Sequence, residues 1–157
     1  MTIEIIDNYY RDFLTDDILK SLQFAKFAMK IVEKTDKELY DLINLLTNEV
    51  TILSWIMTWF SQNKYSMDDI WNVFDFINKN NLVMPYYIAA QKIISNKDNL
   101  MCTECIDVEM KAISSQPETL EMLYESKKLF EKVPPSKVLE LMKKDGDCIE
   151  RFEFLAT

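Results

Sequence analysis

Histidine is absent from this sequence of 157 residues, and glycine occurs once, at Gly146. Without histidine, the chain lacks the commonest general base at neutral pH and the commonest zinc ligand, so catalytic triads built on histidine are excluded. With a single glycine, it has no glycine-rich phosphate-binding loop, which excludes the Walker, Rossmann and protein kinase signatures. Sheet proteins need glycine in tight turns and bulges, so this scarcity also favours an all-helical protein.

Basic residues are fewer than acidic ones. Against 26 Asp and Glu stand 18 Lys and Arg, which gives a formal net charge of −8 and a pI of about 4.6. Binding to nucleic acid or to an anionic membrane surface requires clustered Lys and Arg, so we expect neither. A basic protein partner is compatible with the charge, because long-range attraction raises association rates. The charge is equally explained by solubility, without any partner.

No segment is typical of a targeting signal or of a membrane span. Residues 1–8 carry no basic region, and the longest apolar run, residues 50–60, is shorter than the ~20 residues that a membrane helix needs. Three cysteines, an odd number, fit free thiols better than a disulfide framework. We therefore predict a cytoplasmic protein. The many Asn, Ile and Lys residues indicate AT-rich coding, as in a virus, a phage or a low-GC bacterium, and a viral protein would work in the host cytoplasm.

Apolar residues recur at helical spacing along most of the chain, and polar residues stand where helices should begin. Thr15 is followed by two aspartates, which suit the first turn of a helix. Three further residues each precede an acid by three positions, as in a capping box: Thr35, Ser66 and Ser115. These four residues are the predicted helix starts.

One long segment, about residues 36–63, is apolar on nearly all sides in its second half, which predicts a buried central helix. Gly146 is placed to end the last helix. We predict one all-α domain over residues 1–157, a compact bundle of about seven helices, in which residues 145–157 form a loosely packed tail.

Cys102 and Cys105 form a CxxC pair, a spacing that zinc sites use. A closed zinc site needs two more ligands, and only Cys148 remains within the chain, with aspartates beside it. Two chains could instead pool their pairs across a dimer axis. The interpretation that we favour makes both cysteines small apolar residues on the inner face of a helix from Met101 to Ser114. A redox role requires a thioredoxin-like setting, which the pattern does not predict. We therefore predict no metal and no cofactor, and keep the three cysteines as candidate ligands.

Acidic pairs one helical turn apart indicate a possible enzyme. Glu118 and Glu121, and likewise Glu150 and Glu153, have the spacing that all-helical, Mg²⁺-dependent nucleotide pyrophosphohydrolases use. Glu118, however, is predicted to be a capping acid, and the second pair lies in the predicted tail. The acids do not converge on one site, so this enzyme is the alternative to a non-catalytic protein.

Aromatic residues cluster in the middle of the chain. They are typical of a core, but they also suit a groove that receives an amphipathic helix. We predict a non-catalytic interaction protein, such as an inhibitor, an adaptor or an immunity-type factor, that binds a protein partner through an apolar groove with an acidic rim. A homodimer is compatible with this, and an acidic DNA mimic is a further alternative. The candidate groove residues are Trp55, Trp59, Tyr65, Trp71 and Phe76.

Overall fold

The computed structural model describes residues 18–44, 49–62, 66–147 and Phe152. Over these residues the chain forms nine α-helices and no strand, which confirms the predicted all-α fold. Thr15, the first predicted helix start, lies outside the described residues. The helices are α1 (Ile18–Thr35), α2 (Lys37–Asn44), α3 (Glu49–Thr58), α4 (Met67–Asn80), α5 (Met84–Ser95), α6 (Lys97–Cys102), α7 (Ile106–Ser114), α8 (Leu120–Lys132) and α9 (Pro135–Lys144).

The most enclosed helix is α5, not a helix of the predicted segment 36–63. Nine of the twelve residues of α5 are buried, against four of the ten in α3. Helices α1 and α8 pack against α5 most closely, and α3 and α4 also contact it. Small side chains such as Ala89 and Ala90 let these neighbours approach. Among the described helices, none has both the length and the apolar character to cross a bilayer.

Helix α3 ends at Thr58, five residues before the predicted end at 63. The next two residues, Trp59 and Phe60, have φ values of 47° and 64°. Left-handed backbone costs a residue with a side chain about 1–2 kcal/mol. The N–H of Phe60 donates to the carbonyl of Trp55 at 3.0 Å, which closes the turn. Both rings are buried by this turn, and their burial offsets the backbone strain.

The helix starts at Ser66 and near Thr35 have different outcomes. Ser66 accepts a hydrogen bond from the N–H of Asp69 at 3.2 Å and caps α4 as predicted. Thr35 is the last residue of α1 rather than a cap. Asp36 caps α2 instead, since its carboxylate accepts from the N–H of Leu39 at 3.1 Å. The prediction was wrong by one residue, because a carboxylate caps a helix as well as a hydroxyl does.

The C-terminal region is tied to α1. Gly146 has a φ of 77° and follows α9 as predicted. On either side of it, Asp145 pairs with Lys30 and Asp147 pairs with Lys26 at 3.1 Å. The described part of the predicted loose tail is therefore held by two ion pairs.

Phe152, the remaining described residue of the tail, is 0% exposed. Its ring centroid lies 5.1 Å from that of Phe24 and 5.2 Å from that of Phe27. Phe152 thus belongs to the core, which corrects the prediction of a loose tail at this position. Hydrophobic periodicity missed it because the short segment beyond the last helix carries too few apolar residues to make a pattern.

Candidate functional site

A groove of about 260 Å³ separates α4 from α8. Buried Leu123 and half-buried Phe76 line its floor. The wall formed by α8 is apolar as well, because Leu120 is 68% exposed and Tyr124 is 59% exposed. The opposite wall is polar and consists of Asn72, Asp75, Lys79 and Asn80.

A second depression of about 240 Å³ continues the groove past the end of α4 and shares Lys79 and Asn80 with the first. Met84 of α5 and Phe130 of α8 supply its apolar surface. Together the two depressions follow α8 from Leu120 to Glu131, which at 1.5 Å per residue is about 16 Å. This length corresponds to three turns of a bound helix.

The rim of the groove has mixed charge. Asp75 and Lys79 form an ion pair at 2.6 Å on α4. Lys127 and Glu131 line the second depression from α8. Two carboxylates and two ammonium groups therefore border this groove, so its rim is not acidic as the sequence predicted. The cause is local, since opposite charges one turn apart stabilise the exposed face of a helix.

Two of the five predicted groove residues lie in the core. Trp55 and Trp59 are 0% and 1% exposed, so they do not line an open groove. The indole N–H of Trp55 donates to the hydroxyl of Ser114 at 3.0 Å, and the Trp59 ring meets Phe74 edge-on. Trp59 packs against α4, the next helix along the chain, whereas Trp55 packs against α7, whose Ser114 is 59 residues away in sequence.

The other three predicted residues have different outcomes. Phe76 lines the groove between α4 and α8. Trp71 is 64% exposed, but it is not among the residues that line this groove. Tyr65 lies outside the described residues. The prediction overlooked Leu120 and Tyr124, whose spacing of four residues on α8 was the available signal for a second apolar stripe.

Behind α8 lies a buried ion pair. The ammonium group of Lys92 on α5 donates to the carboxylate of Glu118 and, at 2.6 Å, to the carbonyl of Gln116. The Trp55 ring centroid is 5.5 Å from the same ammonium group. Burial lowers the pKa of Lys92 and raises the pKa of Glu118, while attraction between the two charges opposes both shifts. The pair attaches the segment before α8 to α5, the most enclosed helix.

Glu118 is therefore not a capping acid. Thr119 caps α8 by accepting from the N–H of Met122 at 3.2 Å, so the predicted helix start at Ser115 was wrong. The carboxylates of Glu118 and Glu121 also cannot share a metal ion, because the first is buried against Lys92 and the second is exposed. Sequence spacing misled here because it does not show which acid points inward.

Several other acids of the described chain pair with lysines. Glu33 pairs with Lys30, and Asp36 pairs with Lys97 at 2.6 Å. Within residues 18–44, 49–62 and 66–147 and Phe152, no three Cys, Asp or Glu side chains group closely enough to hold a metal ion. Glu150 and Glu153 lie outside the described residues.

The CxxC pair is on the surface. Cys102 is the last residue of α6 and Cys105 precedes the first residue of α7, and both are exposed. The predicted continuous helix from Met101 to Ser114 is thus two helices, and the prediction that both cysteines lie on an inner face is wrong. The buried face of α7 is formed by Ile106, Met110 and Ile113. Cys148 lies outside the described residues.

Comparison with known proteins gives one weak likeness. The chain is similar to TBC1 domain family member 20 of Mus musculus, Bos taurus and Homo sapiens, at 23% identity over 136 residues in each case. The matched region covers 83% of this chain and 34% of each relative, so the chain spans about a third of the length of the curated relatives it matches. No protein-family model and no solved structure matches the chain.

Proposed function

We propose that this chain is a non-catalytic protein–protein interaction module that receives an amphipathic helix in the groove between α4 and α8. The observation that carries the proposal is the exposed apolar wall of Leu120 and Tyr124 beside the floor of Phe76 and Leu123. Exposed apolar patches that border a groove mark sites of interaction. Helix-in-groove recognition uses this combination of apolar floor and polar rim.

The shape of the groove suggests the chemistry of the partner. Two depressions in line suit a helix that places apolar side chains at positions i, i+4 and i+7. Tyr124 is suited to anchor such a helix, because tyrosine is enriched among the residues that dominate binding energy. Its ring lies 4.5 Å from the ammonium group of Lys128, which restricts its position. The mixed rim favours a partner helix whose polar flanks carry both charges.

The charge pattern of α8 argues against the alternative of a DNA mimic. A mimic needs one continuous acidic face to imitate phosphates. On α8, exposed lysines lie among the glutamates, and Lys128 pairs with Glu125 at 2.8 Å. We accordingly propose a protein partner in the cytoplasm rather than a nucleic-acid enzyme as its target.

A second candidate function is regulation of a small GTPase, which the likeness to TBC1 domain family member 20 favours. In this role the chain would be a divergent TBC1 domain or one part of such a domain. Proteins that activate GTPases commonly supply an arginine to the bound nucleotide. The sequence has two arginines, Arg11 and Arg151, and both lie outside the described residues.

Selection from a displayed library of helical peptides tests the first candidate. The library is selected on the wild-type protein alone, and each enriched peptide is then measured against the double variant L120D/Y124A and against W71A, a matched control outside the groove. We expect peptides with apolar anchors at helical spacing that bind the wild type and W71A alike and lose at least tenfold in affinity for the double variant. Peptides that bind all three proteins equally, or no enriched peptides, would contradict the groove.

Measurement of GTP hydrolysis tests the second candidate. A panel of purified small GTPases is assayed with and without the chain, and the variants R11A and R151A are included. A stimulated rate that either substitution abolishes supports GTPase activation. An unchanged rate across the panel would contradict GTPase activation, and binding in the groove would be the remaining candidate.

A further inference from the structure

We propose that Cys102 and Cys105 form half of a zinc site, and that the same two cysteines of a second copy of this chain complete it. Free cysteine is among the residue types most often buried, because it behaves as a small apolar side chain. Here two cysteines, three positions apart, are both exposed. Packing therefore does not explain them, and their spacing is that of zinc ligands.

The connection between α6 and α7 carries both exposed cysteines. The hydroxyl of Thr103 accepts from the N–H of Cys105 at 3.2 Å and donates to the carbonyl of Cys105 at 3.3 Å. These contacts stabilise a bend in the connection, with Cys102 at the end of one helix and Cys105 before the start of the next. Zinc sites commonly take a pair of thiolates at this spacing.

The chain does not complete the site within its described residues. No third Cys, Asp or Glu joins the pair there in a group able to hold a metal ion. A closed zinc site takes four ligands in a tetrahedron. A second CxxC pair related by a two-fold axis supplies the missing two, and closed two-fold symmetry is the commonest arrangement of homodimers.

The surroundings of the pair suit a contact that depends on metal. Met101 and Val108 are exposed on either side of the connection and would be covered by the second copy. Glu104 and Asp107 are exposed as well, so their carboxylates oppose the contact and the zinc–sulfur bonds must hold the two copies together. Binding converts four thiols to thiolates, releases four protons to the solvent and leaves no redox change.

Zinc titration of the purified full chain, with a phosphine reductant present to prevent disulfides, tests the proposal. Zinc content is measured by mass spectrometry of the metal and molecular mass by light scattering after gel filtration. We expect about 0.5 zinc per chain and twice the chain mass of 18.6 kDa, both reversed by a chelator. The variants C102S and C105S should each lose the zinc and the dimer, whereas C148S should keep both.

Three results would overturn the proposal. One is a monomer with one zinc that C148S abolishes, since the site would then lie within one chain. Another is the absence of bound zinc at a small molar excess. The third is a dimer that persists in chelator and in C102S, which places the interface elsewhere. Because both cysteines are exposed, unchanged far-UV circular dichroism of the serine variants is the check that the fold is retained.

Discussion

Lys92 and Glu118 form an ion pair in the protein interior, with side chains that are 0% and 1% exposed. Lys92 lies on the central helix α5, whereas Glu118 lies just before α8, which provides the apolar wall of the groove. A buried charge whose partner is removed pays the full cost of desolvation without attraction in return. The pair therefore links the position of the groove wall to the stability of the core.

Removal of one member of this pair should destabilise the protein by more than the loss of a single contact. We expect K92M to lower the free energy of unfolding by about 3–5 kcal/mol, because it leaves Glu118 buried without its partner. The double variant K92M/E118L should lose less than the sum of the two single losses. Urea denaturation of all four proteins measures the cycle. Additive losses would show that the two groups are not coupled.

Asp36 should make stability depend on pH at the acidic end. Its hydrogen bond with Lys97 holds the pKa of Asp36 below the ordinary value of 3.8. Because the unfolded chain then takes up the proton first, the stabilisation is complete above the unfolded pKa and is lost as pH falls through the folded pKa.

The variant D36N isolates this charge, because asparagine still caps a helix. Its free energy of unfolding should decline less than that of the wild type between about pH 5 and about pH 2, since only the wild type has this ion pair to lose. Urea denaturation at a series of pH values provides the comparison. Parallel declines of the two proteins would exclude a contribution from Asp36.

Phe152 should stabilise the protein as much as a core residue within a helix does. The variant F152A removes a ring packed between Phe24 and Phe27, and we expect a loss of about 3–5 kcal/mol in the free energy of unfolding. The matched control is L120A at an exposed position, where we expect a change within about 0.5 kcal/mol. Equal effects in thermal or urea denaturation would mean that Phe152 is not packed as described.

Replacement of Gly146 by alanine should destabilise the protein, and the backbone conformation alone should be the cause. At its φ of 77°, alanine is expected to cost about 1–2 kcal/mol. Steric conflict adds nothing, because a Cβ atom here would meet no atom within 4 Å. The variant G146N should lose less than G146A, since asparagine tolerates left-handed backbone. Stabilisation by G146A, as in ordinary Gly→Ala replacements, would contradict the conformation.

The helical class and one helix start followed from local chemistry. The scarcity of glycine and the helical spacing of apolar residues predicted the all-α fold, and Ser66 was correctly predicted as a cap. The prediction of a cap fails where two neighbouring residues are both able to accept the hydrogen bond, as at Thr35 and Asp36. A competition of this kind depends on the tertiary partner, here Lys97, which binds the same carboxylate.

The sequence by itself determined that this chain is helical and acidic and that histidine chemistry is excluded, since these properties depend on composition and on near neighbours. Only the tertiary structure decided that Trp55 is core, that Glu118 faces Lys92 rather than a metal ion, and that Leu120 and Tyr124 border a groove. The physical reason is that each of these outcomes depends on which residues from distant parts of the chain cover a side chain. An apolar stripe looks the same in sequence whether another helix packs on it or leaves it open.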